Sequence, residues 1–233
     1  MNWFNTDPRG HFLLLPALDD EKEWRDQSLS KSDCYDVTYL SSTAQNMVLS
    51  FNSVGAGASQ NHIHCHAWVD PPPPLLDNKY AVAKSSTILS FQLRDGITVS
   101  LLDYPCTCIK LSASSKSDHL HHSDQLDVLG DALWKVVQIA QNLQAPHNVA
   151  WTNDLRDHSN ESVNIDTYVF FRKSETTDRI ESIFRLGASE MLGVFHCSSK
   201  EQLQSLSSNM KQILSDVSLN GQLVWHEVCA ALE

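Results

Sequence analysis

No stretch of this chain approaches the roughly 20 apolar residues of a membrane-spanning helix. Its start lacks the basic segment and apolar run of a secretory signal, and its six cysteines include no Cys-x-x-Cys pair. This cysteine usage is typical of reduced thiols in an intracellular protein. We therefore expect a cytoplasmic protein with no membrane partner.

Basic residues are also scarce. Lys and Arg number 17 against 28 Asp and Glu, which gives a formal net charge of −11. A surface of this sign repels phosphate backbones, so the composition argues against a nucleic-acid partner and against an anionic membrane surface. It does not exclude a small anionic substrate, because a local site can be positive while the whole chain is negative.

The most informative motif is the pentapeptide His-Ile-His-Cys-His at residues 62–66. Side chains alternate between the two faces of a strand, so a strand over residues 62–69 places His62, His64 and His66 on one face. The apolar residues between them then point to the other face, where a core would receive them. Three imidazoles on one face add little packing, which indicates proton handling, phosphate chemistry or metal binding.

A histidine nucleophile would explain this arrangement. Imidazole has a pKa of about 6.5, so much of it is neutral at cytosolic pH and able to attack phosphorus. The resulting phosphoramidate splits one difficult displacement into two easier steps. His64 is the middle residue, and either His62 or His66 would protonate a leaving oxygen or stabilise charge on the phosphate.

A metal site is the main alternative, because His-x-His is a familiar zinc-ligand spacing. Positions i and i+4 of a straight strand lie roughly 13 Å apart, so two of the three rings could bind one ion and all three could not. Ordinary core histidines are a third interpretation. We favour the nucleophile, and we expect neither a metal nor another cofactor.

A turn of small residues precedes the histidines, over residues 55–61. Gly57 lets a ligand approach its backbone N–H closely, and Ser59 and Gln60 add side-chain donors. Successive N–H groups in such a turn can form an anion-binding nest. The turn therefore predicts a phosphate-binding loop beside the histidines.

The remaining pattern predicts an α+β protein with an antiparallel sheet and helices packed on one side. Helices are expected over residues 34–48 with Asp33 as N-cap, 125–143, 199–216 with Ser199 as N-cap, and 222–232. Strands are expected over 10–16, 47–52, 62–69, 106–111, 148–152, 168–171 and 189–197, with a hairpin of 87–93 and 97–102 around an Asp-Gly turn. The tetraproline at 71–74 would end the histidine strand, residues 112–124 would form a loop, and Arg172 is interpreted as part of a solvated strand end.

A weak internal repeat runs through this pattern. A helix followed by two strands is predicted between residues 34 and 69 and again between residues 125 and 171. The second copy carries no triple histidine. We therefore expect a catalytic half, residues 1–112, and a degenerate second half, residues 113–233.

The segment His62–Trp68 resembles the signature of the histidine-triad (HIT) superfamily, in which histidines alternate with apolar residues. The segment Asp7–Pro16 resembles the strand of that superfamily that begins with a Gly-His pair. Three further segments, residues 51–64, 96–105 and 187–194, resemble the GDP-hexose phosphorylases, the family of GDP-D-glucose and GDP-L-galactose phosphorylases. The likeness is spread over most of the chain.

The resemblance implies a HIT-like antiparallel fold and a nucleotidyl transfer in two steps. His64 would attack the α-phosphorus of a GDP-sugar and release hexose 1-phosphate, and inorganic phosphate would then take the GMP and leave as GDP. His66 matches the position that contacts the phosphate and assists the leaving group, and His62 and His11 match positions that shape the pocket. Ser59 and Gln60 match the phosphate-binding turn. Asn52 matches a polar position that holds the nucleophile loop.

Two departures from the family pattern bear on function. Galactose-specific members resemble His-x-His-x-Gln, whereas His66 is the third residue here, which favours the glucose-specific type or hydrolysis. Family members also carry a long segment before the Gly-His strand, whereas nine residues precede Gly10, so we expect that segment to be lacking. Two alternative functions stay open: a catalytically silent nucleotide-binding or scaffold protein, and a HIT-type nucleotide hydrolase. A homodimer is also possible for this fold.

Overall fold

The computed structural model describes residues 10–16, 24–44, 47–69, 80–113, 122–154, 164–180, 185–197 and 199–232. These stretches contain the strands β1 (His11–Leu14), β2 (Met47–Asn52), β3 (Cys65–Val69), β4 (Thr87–Gln92), β5 (Ile97–Leu102), β6 (Cys108–Ala113), β7 (His147–Asp154) and β8 (Asn164–Phe171). They also contain the helices α1 (Lys31–Thr43), α2 (His122–Asn142), α3 (Ala188–Met191), α4 (Lys200–Asp216) and α5 (Gly221–Leu232). Among these helices, none is long and apolar enough to span a membrane. The tetraproline at 71–74 and most of the loop predicted at 112–124 lie outside the described residues.

The strands form one antiparallel sheet in the order β1-β3-β2-β7-β8-β6-β5-β4. The α+β class and the antiparallel sheet predicted from the sequence are therefore confirmed. The two helix–strand–strand units, α1-β2-β3 and α2-β7-β8, meet at the pairing of β2 with β7 in the middle of the sheet. The sheet is continuous from one unit to the next.

The alternation along β3 separates a core face from a face that carries histidine. Ile63, Cys65 and Ala67 are buried in the main core, together with residues of α1, α2 and α5, as the sequence pattern predicts. The opposite face is packed by a second apolar cluster, which includes Leu206 and Ile213 of α4. Three helices thus share one side of the sheet, and α4 covers part of the other side.

The histidine strand is shorter than the sequence predicts. β3 begins at Cys65, because its pairing with β1 ends where Leu14 faces Cys65. Its pairing with β2 ends where Ser50 faces His66. The first two histidines of the motif therefore lie in the irregular segment that leads into the strand.

Residues 189–197, predicted as a strand, instead begin inside the short helix α3 and continue as turn and irregular structure. Glu190 accepts a 2.8 Å hydrogen bond from the backbone N–H of Gly187, which satisfies one of the free donors at a helix start. Met191 and Leu192 are both buried although they are consecutive. Two adjacent buried side chains fit a helical turn better than the alternation of a strand.

The predicted bounds of α1 were also wrong, whereas the cap of α4 was correct. Ser30, not Asp33, caps α1: Ser30 Oγ accepts from the N–H of Asp33 at 3.2 Å, and the Asp33 carboxylate accepts from the N–H of Ser30 at 2.7 Å. This reciprocal pair fixes the helix start three residues earlier than expected. Ser199 caps α4, as predicted, by accepting from the N–H of Gln202 at 3.1 Å.

Candidate active site

His64 is buried, with 3% of its surface exposed. Its ring Nδ1 lies 2.7 Å from the backbone oxygen of His62. A carbonyl oxygen can only accept a hydrogen bond, so Nδ1 carries the proton and donates it. In the neutral form of the ring the lone pair then lies on Nε2, and this nitrogen can act as a nucleophile.

His66 lies beside His64, with 5.2 Å between the ring centroids. Its Nδ1 shares a 3.0 Å hydrogen bond with Nε2 of His11. Trp68 stacks against both rings, with centroid distances of 5.1 Å to His11 and 5.7 Å to His66. The pairing of β1 with β3, which sets His11 opposite Trp68, thus brings His11 against one motif histidine, His66.

The surroundings of His66 keep its ring neutral. Burial, followed by the neighbouring His64 and His11 rings, lowers the pKa of His66 to about 3. A neutral ring beside His64 can donate or accept a hydrogen bond without placing a positive charge next to the His64 ring. His66 therefore contributes to this site as a hydrogen-bonding group at neutral pH.

This lowered pKa predicts acid sensitivity of the fold. The unfolded chain binds a proton at this residue at about pH 6.5, and the folded chain only at about pH 3, so unfolding takes up a proton in between. The free energy of unfolding then falls as the pH drops through this window, by up to about 1.4 kcal/mol per pH unit. Because His66→Gln removes the titrating group, the variant should lose less stability than the wild type between about pH 6.5 and about pH 4.5 in urea unfolding. Equal losses in the two proteins would contradict this assignment.

His62 contributes through its backbone more than through its ring. Its backbone oxygen fixes the tautomer of His64, whereas its ring meets Trp24 edge-on with 4.9 Å between centroids. The ring Nε2 of His62 is buried and has no hydrogen-bond partner within the described stretches. Over those same stretches, no group of three or more His, Cys, Asp or Glu side chains is placed to hold a metal ion.

Asn52 ends β2 directly beside this site, and its side chain is buried. Its Oδ1 accepts hydrogen bonds from Nδ2 of Asn148 at 2.8 Å and from the backbone N–H of Ala188 at 2.9 Å. Asn148 also donates to the backbone oxygen of Ala56, inside the small-residue turn, at 2.8 Å. Asn52 is thereby the junction between β2, β7, the start of α3 and the turn.

Arg172 belongs to the same network, so its interpretation as part of a solvated strand end was wrong. Its side chain is fully buried, and Nη1 donates to the backbone oxygen of Leu186 at 2.7 Å and to Oδ1 of Asn148 at 2.9 Å. A longer bond of 3.3 Å reaches the backbone oxygen of Ala56. Burial lowers the pKa of Arg172 to about 10, which leaves it charged at neutral pH.

The turn before the histidines packs tightly against the segment that leads into α3. Gly57 has a φ of +93°, and a Cβ at this position would lie 2.7 Å from the backbone oxygen of Leu186. Its N–H, which the sequence suggested for phosphate contact, donates to the carboxylate of Glu175 at 3.1 Å. Ser59 and Gln60 follow in an exposed bend before His62.

Sequence reasoning missed three side chains that support this site. Gln27 contacts the backbone of His64, Asn148 contacts Asn52, and Glu175 contacts Gly57. The partners in these pairs are separated by 37, 96 and 118 residues. No local motif marks such residues, since each is defined only by a contact made in the folded chain.

Comparison with known proteins gives a structural likeness but no likeness in sequence. No family model matches the chain, and no curated protein matches it. The fold is similar to the crystal structure of yeast Ap4A phosphorylase Apa2, with a TM-score of 0.59 and 15% identity over 90% of this chain and 68% of that chain. The same enzyme in complex with Ap4A matches with a TM-score of 0.59 and 14% identity, over 90% of this chain and 69% of that chain. The chain thus shares its α+β fold with a yeast phosphorylase.

Proposed function

We propose that this chain is a nucleotidyltransferase that carries a nucleoside monophosphate on Nε2 of His64. The observation that carries the proposal is the 2.7 Å hydrogen bond from Nδ1 of His64 to the backbone oxygen of His62. That bond holds the ring in the tautomer whose free lone pair lies on Nε2. The similar fold of a yeast Ap4A phosphorylase supports nucleotide chemistry as the setting for this nucleophile.

The reaction proposed is that of a GDP-hexose phosphorylase. The lone pair of His64 Nε2 attacks the α-phosphorus of the GDP-sugar, the bond from that phosphorus to the bridging oxygen breaks, and hexose 1-phosphate leaves. An oxygen of inorganic phosphate then attacks the same phosphorus, the P–N bond breaks, and GDP leaves. Two displacements at one nitrogen thus return His64 to its starting state.

The neighbouring histidines are assigned roles in this scheme. When Nε2 of His11 donates to Nδ1 of His66, across 3.0 Å, the proton of the neutral His66 ring lies on its Nε2. That N–H then donates to an oxygen of the transferring phosphoryl group and stabilises its developing charge. His62 and His11 shape the pocket, Ser59 and Gln60 supply the remaining phosphate contacts, and Gly57 and Asn52 hold the turn in place.

The division of the chain fits the same scheme. The groups assigned to chemistry all lie in residues 1–112, the proposed catalytic half. Residues 113–233, the proposed degenerate half, supply supporting groups such as Asn148, Arg172 and Ala188, which hold the turn and Asn52. We propose that the second half has kept a structural role in the site.

A second candidate substrate is Ap4A, because the structural neighbour was solved in complex with that molecule. Attack of His64 on an α-phosphorus of Ap4A is the same chemical step with a different base and leaving group. The two candidates therefore differ in binding and not in the role of His64.

The test is a turnover assay with product identification. The purified protein is supplied with GDP-glucose or with Ap4A, each with and without inorganic phosphate, and nucleotide products are separated by chromatography. The proposal expects GDP and hexose 1-phosphate from GDP-glucose only when phosphate is present, and labelled phosphate should appear as the β-phosphate of GDP. Release of GMP at the same rate without phosphate would identify a hydrolase. Binding in calorimetry without any product would identify a silent nucleotide-binding protein, and either outcome would overturn the phosphorylase assignment.

A further inference from the structure

The side chain of Gln27 holds the backbone of His64 on both sides. Its Oε1 accepts from the N–H of His64 at 2.9 Å, and its Nε2 donates to the carbonyl oxygen of the same residue at 3.1 Å. Nε2 also donates to the carbonyl oxygen of Asn52 at 2.8 Å. Gln27 is 2% exposed, so these three bonds are made away from water.

The position of Gln27 in the sheet shows what these bonds replace. The ladder between β2 and β3 ends with Ser50 facing His66. Continued by two residues in the same antiparallel register, it would set Asn52 opposite His64. There the amide of Gln27 lies between the two backbones and takes the hydrogen bonds that a continued ladder would have made. The two chains are bridged at that point by a side chain instead of pairing directly.

The segment around Gln27 is itself fixed along the histidine loop. The backbone oxygen of Arg25 accepts from the N–H of Ile63 at 3.0 Å, and the N–H of Gln27 donates to Oδ1 of Asn61 at 3.3 Å. Two bonds of 2.8 Å and 2.7 Å from the Arg25 guanidinium to the carboxylate of Asp33 anchor this segment to α1. The Gln27 amide is therefore a rigid support and not a freely rotating side chain.

We infer that Gln27 is a positioning residue that sets where Nε2 of His64 meets the substrate. The inference rests on the proposed function of His64 as the nucleophile. Gln27 acts through the backbone of His64, whose ring bond to the His62 carbonyl closes only when that backbone is held. Loss of the support lets the ring shift away from the line of attack, and a shift of about 1 Å at a reacting centre can slow a reaction by about 10²-fold.

The experiment compares Gln27→Met and Gln27→Glu with the matched control Gln141→Met. Methionine has a similar length and makes none of the three bonds, whereas glutamate keeps the acceptor and loses both donors at neutral pH. Gln141 supports the same segment, by donating to Ser28 Oγ at 3.0 Å and to the backbone oxygen of Leu29 at 2.9 Å. Substitution at Gln141 thus removes bonds to this segment without touching His64.

Two quantities are measured for each protein. One is the single-turnover rate of covalent labelling from GDP-glucose, as a function of substrate concentration and pH. The other is amide hydrogen exchange at His64, whose N–H is the donor to Gln27. The exchange measurement reports the support itself and does not depend on whether the protein turns over any substrate.

The inference predicts a loss in rate with little loss in binding. Gln27→Met should lower the maximal labelling rate by about 10-fold to about 100-fold, with a half-saturating concentration within about twofold of wild type, and should speed exchange at His64. Gln27→Glu should recover part of the rate as the pH is lowered, because a protonated glutamate regains one donor toward the two carbonyl oxygens. Gln141→Met should label at the wild-type rate.

Each alternative outcome has a distinct meaning. Unchanged labelling rates in both Gln27 variants would overturn the inference, and so would an equal loss in Gln141→Met, which would show general destabilisation. If Gln27→Met does not fold, the pH profile of Gln27→Glu tests the inference: a labelling rate that does not recover as the pH is lowered would overturn it. If the wild type gives no label while exchange at His64 still depends on Gln27, the proposed function fails and only the structural support remains.

Discussion

Replacing His64 by alanine is expected to lower kcat/KM for GDP-glucose by about 10⁴-fold or more, because the substitution removes the atom that we propose forms the covalent bond. The His66 ring cannot take over in the proposed scheme, because its Nδ1 accepts from Nε2 of His11 at 3.0 Å and its own Nε2 then carries the proton. The His62 ring lies against Trp24. The measurement is steady-state formation of GDP in the presence of phosphate.

The matched control for this substitution is His226→Ala. The His226 side chain is 83% exposed, beside Glu227 on α5, so its removal should leave kcat/KM within about twofold of wild type. His64→Ala should still fold, as judged by circular dichroism and a cooperative melt. Residual activity above about one per cent in a folded His64→Ala protein would show that another group forms the bond.

Among the substitutions predicted for this protein, Gly57→Ala is expected to lower the free energy of unfolding most. The backbone there has a φ of +93°, and the new Cβ would lie 2.7 Å from the Leu186 oxygen and 2.9 Å from the Gly187 Cα. Both neighbours are backbone atoms of a segment that Arg172 holds in place. Neither can shift without disturbing the hydrogen bond from Arg172. Strain and overpacking together should lower the free energy of unfolding by about 2–4 kcal/mol. Because the turn leads directly into the histidine motif, its displacement should lower turnover as well.

Gly55→Ala separates close contact from backbone strain. Gly55 also has a positive φ, of +77°, but its new Cβ would meet only the side chain of Pro146, at 3.1 Å. We expect this variant to lose about 1 kcal/mol, since strain is present without the backbone clash. Thermal melts of both variants measure the difference, at about 2–4 °C per kcal/mol for a chain of this size. Equal melting temperatures would contradict the packing described for Gly57.

The parts of the fold that the sequence predicted are those set by local patterns. Cys65 and Ala67, on either side of His66 in β3, are buried as a strand requires, and Ile63 just before the strand is buried in the same core. The Asp-Gly signal marked the hairpin, where Asp95 and the following glycine both adopt positive φ. In each case the residues that decide the structure are close together in the chain.

The parts that the sequence did not predict depend on contacts between distant residues. The residue at which β3 begins is set by the length of β1 and by the amide of Gln27, which is 37 residues from His64. Arg172 looked like a solvent-facing cation because it follows a strand, yet it is fully buried by its position against Leu186 and Ala56. The motif therefore marks the proposed site of chemistry, whereas the residues that support this site are visible only in the folded chain.

The covalent GMP adduct on His64 is tested most directly by the mass spectrum of the protein quenched during turnover. The wild type is mixed with GDP-glucose without phosphate, denatured, digested and analysed under basic conditions, because a phosphoramidate is labile in acid. The proposed mechanism predicts one GMP per chain on the peptide that spans residues 62–66, with the P–N bond at His64. When phosphate is added before the quench, the GMP should leave this peptide and appear as GDP. An unmodified peptide from a protein that turns over GDP-glucose, or GMP on a different residue, would contradict it.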